Sequence, residues 1–209
     1  MKILTHEDKG YAAFVKKLYR RAIPSDAVSD TVAGIVAEVA KKGDKALISF
    51  AEKFDGAKLT VGTLRVSDAE LARARASVSK ETKAAIKVSL KNIHSFAKKS
   101  LRKNWTAKNP QGVEVGERFV PFDRVGVYVP GGKAPLVSTS LMTAGFAQAA
   151  GVPEIVAATP PRVDGSVNMD LLYALDAAGA TEIYKAGGAH GIAALSLGTG
   201  SIAPVDKVF

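Results

Sequence analysis

The chain has 209 residues, of which 47% are hydrophobic and 23% charged, with a net charge of +9 and no cysteine. A chain of this size buries roughly 70% of the surface that its unfolded form exposes, so we expect one globular domain or two small ones. The absence of cysteine excludes disulfide bonds, thiolate metal sites and a cysteine nucleophile.

The sequence favours neither secretion nor insertion into a membrane. Charged residues occur within the first eight positions, so we predict no secretory signal and expect a cytoplasmic protein. The longest uncharged stretch, residues 134–153, contains proline, glycine, serine and threonine, which disfavours a membrane span. We therefore expect no membrane partner.

The positive charge is concentrated in the first half of the chain. Residues 1–110 hold 23 Lys and Arg against 11 Asp and Glu, whereas residues 111–209 hold 6 against 9. A nucleic-acid-binding protein would combine such a basic stretch with a reading module, and none is found here. A solvated helix face explains the lysines, so we predict no nucleic-acid partner.

The first half has the apolar spacing of amphipathic helices. The pattern predicts five helices, which begin at Thr5, Ser25, Asp44, Ser67 and Ser79. Pro24 is expected to end the first helix and Gly43 the second, because proline removes a backbone donor and glycine adopts left-handed cap conformations.

The composition changes at Asn109–Gly112, where we place the boundary between an N-terminal helical region, residues 1–109, and a second region, residues 110–209. In the second region strands are predicted over 124–129, 154–158, 182–184 and 205–209, separated by helices over 138–150, 168–178 and 189–197. This alternation predicts the α/β class: a Rossmann-like parallel sheet preceded by a helical region. Because the chain ends in the fourth strand, we expect an incomplete sheet.

Ligands of open parallel sheets bind at the carboxyl ends of the strands, here the loops 128–133, 159–162 and 185–190. Gly131 and Gly132 leave room for backbone N–H groups to approach an anion, although a tight turn without a ligand explains them equally. Tyr128 is placed either to stack on a ligand ring or to cap the edge of the core. His190 is either a ligand contact or a half-exposed structural histidine.

Metal and hydrolase motifs are absent from the sequence. The three histidines, His6, His94 and His190, are not spaced as paired ligands, and neither HExxH nor G-x-S-x-G occurs. We therefore predict no complete zinc site within this chain and disfavour a hydrolase.

Three segments of the second half carry a specific resemblance. Arg124-Val-Gly-Val-Tyr-Val-Pro-Gly-Gly132, Gly187-Gly-Ala-His-Gly-Ile-Ala-Ala-Leu195 and Val205-Asp-Lys-Val-Phe209 resemble the histidinol dehydrogenase family in order and spacing. Gly43-Asp-Lys-Ala-Leu47 resembles its N-terminal helices, so the likeness extends over essentially the whole chain.

The resemblance implies an NAD-dependent, zinc-requiring oxidation of L-histidinol to L-histidine in histidine biosynthesis. Tyr128 matches the NAD-contacting tyrosine of the family, and His190 occupies the place of its NAD-contacting glutamine. With Gly131 and Gly132 these residues form the expected cofactor-binding set. Family members continue beyond Val-Asp-Lys-Val-Phe with the zinc ligands and the acid/base pair, so no catalytic or metal residue is assigned in this chain.

The resemblance also implies a homodimer that acts on L-histidinol or a related small alcohol. This chain would carry the cofactor-binding half only, and we expect it to be inactive by itself. The alternative is a half-length, non-catalytic nucleotide-binding or interaction module.

Overall fold

The computed structural model of the chain describes residues 3–21, 25–131 and 136–209, so Pro24 and Gly132 lie outside the described residues. The described part of the chain contains nine α-helices: α1 (Tyr11–Arg21), α2 (Asp26–Lys42), α3 (Asp44–Phe50), α4 (Val61–Leu64), α5 (Asp68–Ser77), α6 (Lys80–Ser100), α7 (Val137–Ala150), α8 (Met169–Ala177) and α9 (Gly188–Leu197). A π-helical turn, Ala51–Asp55, extends α3. Six strands lie in the same ranges: β1 (Trp105–Lys108), β2 (Glu114–Glu117), β3 (Arg124–Tyr128), β4 (Glu154–Thr159), β5 (Glu182–Lys185) and β6 (Lys207–Val208).

The helix boundaries follow local capping chemistry. Gly43, with φ of +53°, lies between α2 and α3 and allows the chain to reverse there. At the start of α5, Ser67 Oγ accepts a hydrogen bond from the Glu70 backbone, and the Glu70 carboxylate accepts one from the Ser67 backbone. The five predicted helices are confirmed, although the first begins at Tyr11 rather than near Thr5, and the short helix α4 was not predicted.

The main sheet has the strand order β5-β4-β3-β6, and every pair in it is parallel. The chain moves outward from β3 through β4 to β5 and then returns to place β6 on the other side of β3. The strand order therefore reverses beside β3, which is the topological switch point of a Rossmann-like sheet. The predicted fold class, an α/β Rossmann-like parallel sheet preceded by helices, is confirmed.

Both faces of the sheet are covered by helices. Alternate residues of β4 point to opposite faces, so Ile155 lies in one hydrophobic cluster and Val156 in the other. The first cluster includes side chains of α5 to α8, and the second includes side chains of α2, α3 and α9. Helices from the first half of the chain therefore pack directly on the sheet.

An antiparallel hairpin of β1 and β2 precedes the main sheet and was not predicted. Its turn is closed by Asn109, whose side-chain oxygen accepts hydrogen bonds from the backbone of Gln111 and Val113. The expected domain boundary at residues 109–110 lies in this turn. The division into 1–109 and 110–209 stays a prediction, and both hydrophobic clusters contain residues from each side of it.

Across residues 3–21, 25–131 and 136–209, none of the helices has the length and apolar character that crossing a lipid bilayer requires.

Candidate functional site

The carboxyl ends of β3, β4 and β5 meet at one edge of the sheet, and their loops converge on Pro160. A Cβ atom added to Gly131 would lie 2.4 Å from Pro160 Cγ, and one added to Gly187 would lie 2.7 Å from Pro160 Cβ. Real Cβ contacts are essentially never this short, so both positions need glycine for the loops to pack. Contact with Pro160 thus explains Gly131 without a ligand, and its role in binding an anion stays a prediction.

Tyr128, the last residue of β3, connects two of these loops. Its hydroxyl accepts a hydrogen bond of 2.9 Å from the backbone N–H of Gly188, the first residue of α9. The phenol ring is partly buried against the cluster that includes α9. The structure therefore brings Tyr128 to the turn that leads to His190, while the expected stacking on a ligand ring stays a prediction.

His190 lies inside the protein, and the expectation of a half-exposed histidine is wrong. The residue is 2% exposed, because the rings of Phe50 and Phe54 lie with centroids 5.5 Å and 5.9 Å from the imidazole. Its Nε2 accepts a hydrogen bond of 3.2 Å from the Gly187 backbone, which requires the neutral tautomer protonated on Nδ1. Burial lowers the pKa of His190 to about 4, so the ring is neutral at pH 7.

Gly132, the remaining expected cofactor contact, lies outside the described residues. The structure brings the other three expected cofactor contacts to the same edge of the sheet. Gly131 packs on Pro160, and the side chains of Tyr128 and His190 both accept hydrogen bonds from the Gly187–Gly188 backbone.

A cavity of about 400 Å³ opens at the same edge, between the loop after β4 and the π-helical turn. The side chains that give it chemical character are those of Asp55, Thr159, Pro160, Arg162 and Asn168. Asp55 Oδ2 and Thr159 Oγ1 are buried and have no hydrogen-bond partner among the described residues. Burial raises the pKa of Asp55.

Sequence analysis missed both of these residues. Thr159 was expected only as the first residue of the loop 159–162, and Asp55 was not singled out. A signal was available for Thr159, because it ends a strand at the edge where parallel sheets of this class bind their ligands. No local signal indicates that Asp55 reaches the same cavity.

Charged side chains are also paired across the sheet. At the opposite edge, Arg124 at the start of β3 bonds both Glu154 and Glu182, the first residues of β4 and β5. Burial opposes the charge of Arg124, but these carboxylates outweigh it and raise its pKa. This network joins the amino ends of three strands and lies away from the cavity.

A metal site is not found within the described ranges. Residues 3–21, 25–131 and 136–209 contain no group of three or more His, Cys, Asp or Glu side chains that could hold a metal ion. The zinc implied by the family resemblance therefore does not fit the donor groups that these residues offer.

The parallel sheet, its switch point and the glycine-containing loops at its carboxyl edge define a Rossmann-like α/β protein of the class that binds ligands at that edge. The family model of histidinol dehydrogenase matches residues 18–209. The chain belongs to the histidinol dehydrogenase family.

Individual relatives agree with this assignment. The chain is 43% identical over 202 residues to a histidinol dehydrogenase of Symbiobacterium thermophilum, covering 97% of this chain and 46% of the relative. It is 38% identical to that of Syntrophotalea carbinolica, covering 100% and 48%. A crystal structure of histidinol dehydrogenase from Elizabethkingia anophelis superposes with a TM-score of 0.84 at 36% identity, covering 90% of this chain and 43% of that one. The chain thus spans about half the length of these relatives.

Proposed function

We propose that this chain binds NAD for the oxidation of L-histidinol to L-histidine and forms the cofactor-binding half of that reaction. The observation that carries the proposal is the convergence of three strand-end loops on Pro160, beside a cavity whose wall has polar groups without a partner among the described residues. This edge is where Rossmann-like sheets bind nucleotides, and the chain belongs to a family named for histidinol oxidation.

The proposed cofactor-binding residues are Tyr128, Gly131, Gly132 and His190. When bound, NAD supplies the hydride acceptor. Tyr128 offers its ring to the cofactor and, through its hydroxyl, fixes the start of α9. The glycines offer backbone N–H groups. His190 acts as a positioning residue, because its imidazole holds the Gly187 backbone and is covered by Phe50 and Phe54.

No step of the reaction is assigned to zinc, because the described residues lack a suitable set of ligands. The remaining proposals rest on the family: L-histidinol or a related small alcohol as substrate, a homodimer as the working assembly, and a cytoplasmic location. None of the described side chains is assigned to the substrate.

The proposal is tested by titrating NAD into the 209-residue chain in a calorimeter. We expect measurable but weak binding, and a loss of roughly tenfold in the variant Tyr128→Phe, because the N–H of Gly188 then loses its acceptor and the start of α9 is no longer held against β3. Tyr173→Phe on α8 is the matched control and should bind as the wild type does. Absence of NAD binding by the wild-type chain would reject the NAD role and favour the alternative, a non-catalytic interaction module.

A further inference from the structure

We propose that the groove between α6 and α8 binds an acidic amphipathic helix of another protein. The cavity there has a volume of about 750 Å³. It lies on the face of the sheet that α5 to α8 cover, not at the strand-end loops that carry the candidate site. Binding in this groove is therefore separate from the proposed NAD binding.

One wall of the groove is a regular row of four lysines and one histidine on α6. The residues of this row follow one another at steps of three or four and all line the cavity: Lys83, Lys87, Lys91, His94 and Lys98. Side chains at these steps lie on the same side of a helix. Because a helix rises about 1.5 Å per residue, the row from Lys83 to Lys98 extends over about 22 Å, or about four turns.

The lysines of this row are not paired with carboxylates in the described part of the chain. None of the four forms an ion pair within residues 3–21, 25–131 and 136–209. Helix α6 carries six lysines and a single acidic residue, Glu81, which does not line the groove. The positive charge of the row is therefore available to carboxylates from outside the chain.

The floor of the groove is apolar. It is formed by two side chains of α6 and two of α8: Ile86, Leu90, Tyr173 and Ala177. Lys83 is held at one end, since its ammonium group donates a hydrogen bond of 2.7 Å to the Arg75 carbonyl and lies 5.7 Å from the centre of the Tyr173 ring. A solvated helix face explains the lysines but not an apolar channel beside them. A helix with an apolar face flanked by carboxylates matches both features.

The spacing of the charges favours a helix over other anions. A fatty acid carries one anionic group, which pairs with only part of a row four turns long. A nucleic-acid strand offers no apolar face for the floor, and the Tyr173 ring already packs against the Lys83 ammonium group. A second copy of this chain, with a net charge of +9, would bring like charge to the groove. Carboxylates one turn apart on a helix meet the lysines at matching intervals.

The test measures binding of a synthetic peptide to the 209-residue chain by fluorescence anisotropy. The peptide has about 18 residues, which span about 27 Å as a helix. Leucines form one face of this probe, and glutamates flank that face along its length. We expect saturable binding that weakens at least tenfold between about 50 mM and about 300 mM salt, because salt screens exposed charges.

The decisive variant reverses two charges inside the groove, Lys87→Glu together with Lys91→Glu. Its matched control is Lys80→Glu together with Lys99→Glu, which makes the same change in net charge on the same helix outside the groove. All four lysines are exposed, so neither pair of substitutions removes a buried contact. We expect the groove variant to bind the probe at least tenfold more weakly than the wild type, and the control less than about threefold more weakly.

Two further peptides separate charge from shape. One has lysine in place of every glutamate, and the other has the composition of the probe in an order without an apolar face. Both should bind at least tenfold more weakly than the probe. Equal binding by either peptide, equal losses in the two lysine variants, or no binding of the probe would overturn the proposal. So would dodecanoate or a single-stranded oligonucleotide that binds the groove more tightly than the probe does.

Discussion

The ammonium group of Lys185 and the carboxylate of Glu70 form an ion pair with an Nζ–Oε1 distance of 2.7 Å, and their side chains are only 6% and 13% exposed. Lys185 ends β5 at the edge that carries the candidate site, whereas Glu70 caps α5 together with Ser67. The pair therefore connects the helical first half of the chain to the edge of the sheet that carries the candidate site.

We predict that Glu70→Gln lowers the free energy of unfolding by about 3 kcal/mol, because it leaves the buried Lys185 ammonium without a counter-charge. Arg75→Gln on the same helix is the control. This variant breaks the ion pair between Arg75 and Asp176, in which the two side chains are 56% and 22% exposed. It should lower the free energy of unfolding by less than about 1 kcal/mol. Urea unfolding at pH 7 measures the free energy of unfolding of both variants, and an equal decrease in the two would contradict the prediction.

The stability that the Lys185–Glu70 pair contributes should depend on pH. Burial opposes the ionisation of Glu70, but hydrogen bonds from Lys185 and Ser67 outweigh it and lower its pKa. A carboxyl group with a lowered folded pKa stabilises the protein above its unfolded pKa, and this contribution is lost as the pH falls through the folded pKa. The difference between wild type and Glu70→Gln should therefore shrink as the solution becomes acidic.

The buried imidazole of His190 should make stability depend on pH. Burial holds its folded pKa at about 4, whereas the unfolded chain takes up a proton near pH 6.5. As the pH falls from about 6.5 to about 4, the unfolded state binds a proton that the folded state does not. This difference lowers the free energy of unfolding by up to about 3 kcal/mol. His190→Gln keeps an acceptor for the Gly187 N–H and should lose less stability over this range.

Denaturant unfolding at pH 7 and at pH 4.5 measures this effect. His6→Gln is the control, because the His6 side chain is 81% exposed and should leave the wild-type pH dependence unchanged. If His190→Gln shows the same pH dependence as the wild type, the imidazole is not the titrating group.

Gly131 should be intolerant of substitution even without a cofactor. In Gly131→Ala the new Cβ would meet Pro160 at 2.4 Å, so the loops must shift, at a cost of about 1–3 kcal/mol. Displacement of the loop after β3 should also weaken NAD binding. Gly34→Ala in α2 meets no atom within 4 Å and should be neutral or stabilising by up to about 1 kcal/mol. Equal unfolding curves for Gly131→Ala and wild type would show that the loop adapts freely.

The chain alone should produce no NADH from L-histidinol and should retain no stoichiometric zinc after dialysis. The reason is chemical: the described residues offer no cluster of metal ligands, and none is assigned as an acid or base. NADH absorbance and metal analysis measure these outcomes, with the Symbiobacterium thermophilum enzyme as the positive control. Turnover above a metal-free blank would contradict this prediction.

The elements that sequence analysis predicted well are those with strong local signals. The apolar run of β4 is buried on both faces and is bounded by prolines, so its position in the chain is unambiguous. The β1–β2 hairpin was missed because each of its strands has only four residues and all eight are exposed, so no buried apolar run marks it. The side-chain bonds of Asn109 that close its turn resemble those of many loops, so they gave no specific signal.

The candidate site was predictable in location but not in detail. The strand-end loops were expected at the carboxyl edge of the sheet, where the structure places them, and the start of α9 was expected near His190; ligand binding there stays a prediction. Burial of the imidazole depends on Phe50 and Phe54, and the cavity depends on Asp55, all from distant parts of the chain. Such long-range contacts leave no local pattern, so only the folded chain reveals them.

The surface formed by α6, α7 and the residues around Phe209 should drive self-association. It is strongly apolar and contains a cavity of about 580 Å³ lined by Leu101, Phe122, Met142, Phe146 and Phe209, among others. Phe96 is 67% exposed and Met142 59% exposed beside it. The outer edge of β6 has no strand partner among the described residues, which adds unpaired backbone groups. Apolar patches beyond a few hundred Å² are uncommon on monomers.

We therefore expect the wild-type chain to form a dimer or larger oligomer, and Met142→Lys to shift it toward monomer because a charge would then have to be buried in the interface. Val163→Lys is the matched control, since Val163 is 75% exposed and does not line the apolar cavity; its oligomeric state should equal that of the wild type. Light scattering at several concentrations measures the mass directly. A wild-type chain that stays monomeric at high concentration for hours, without aggregation, would show that this apolar surface is tolerated in water.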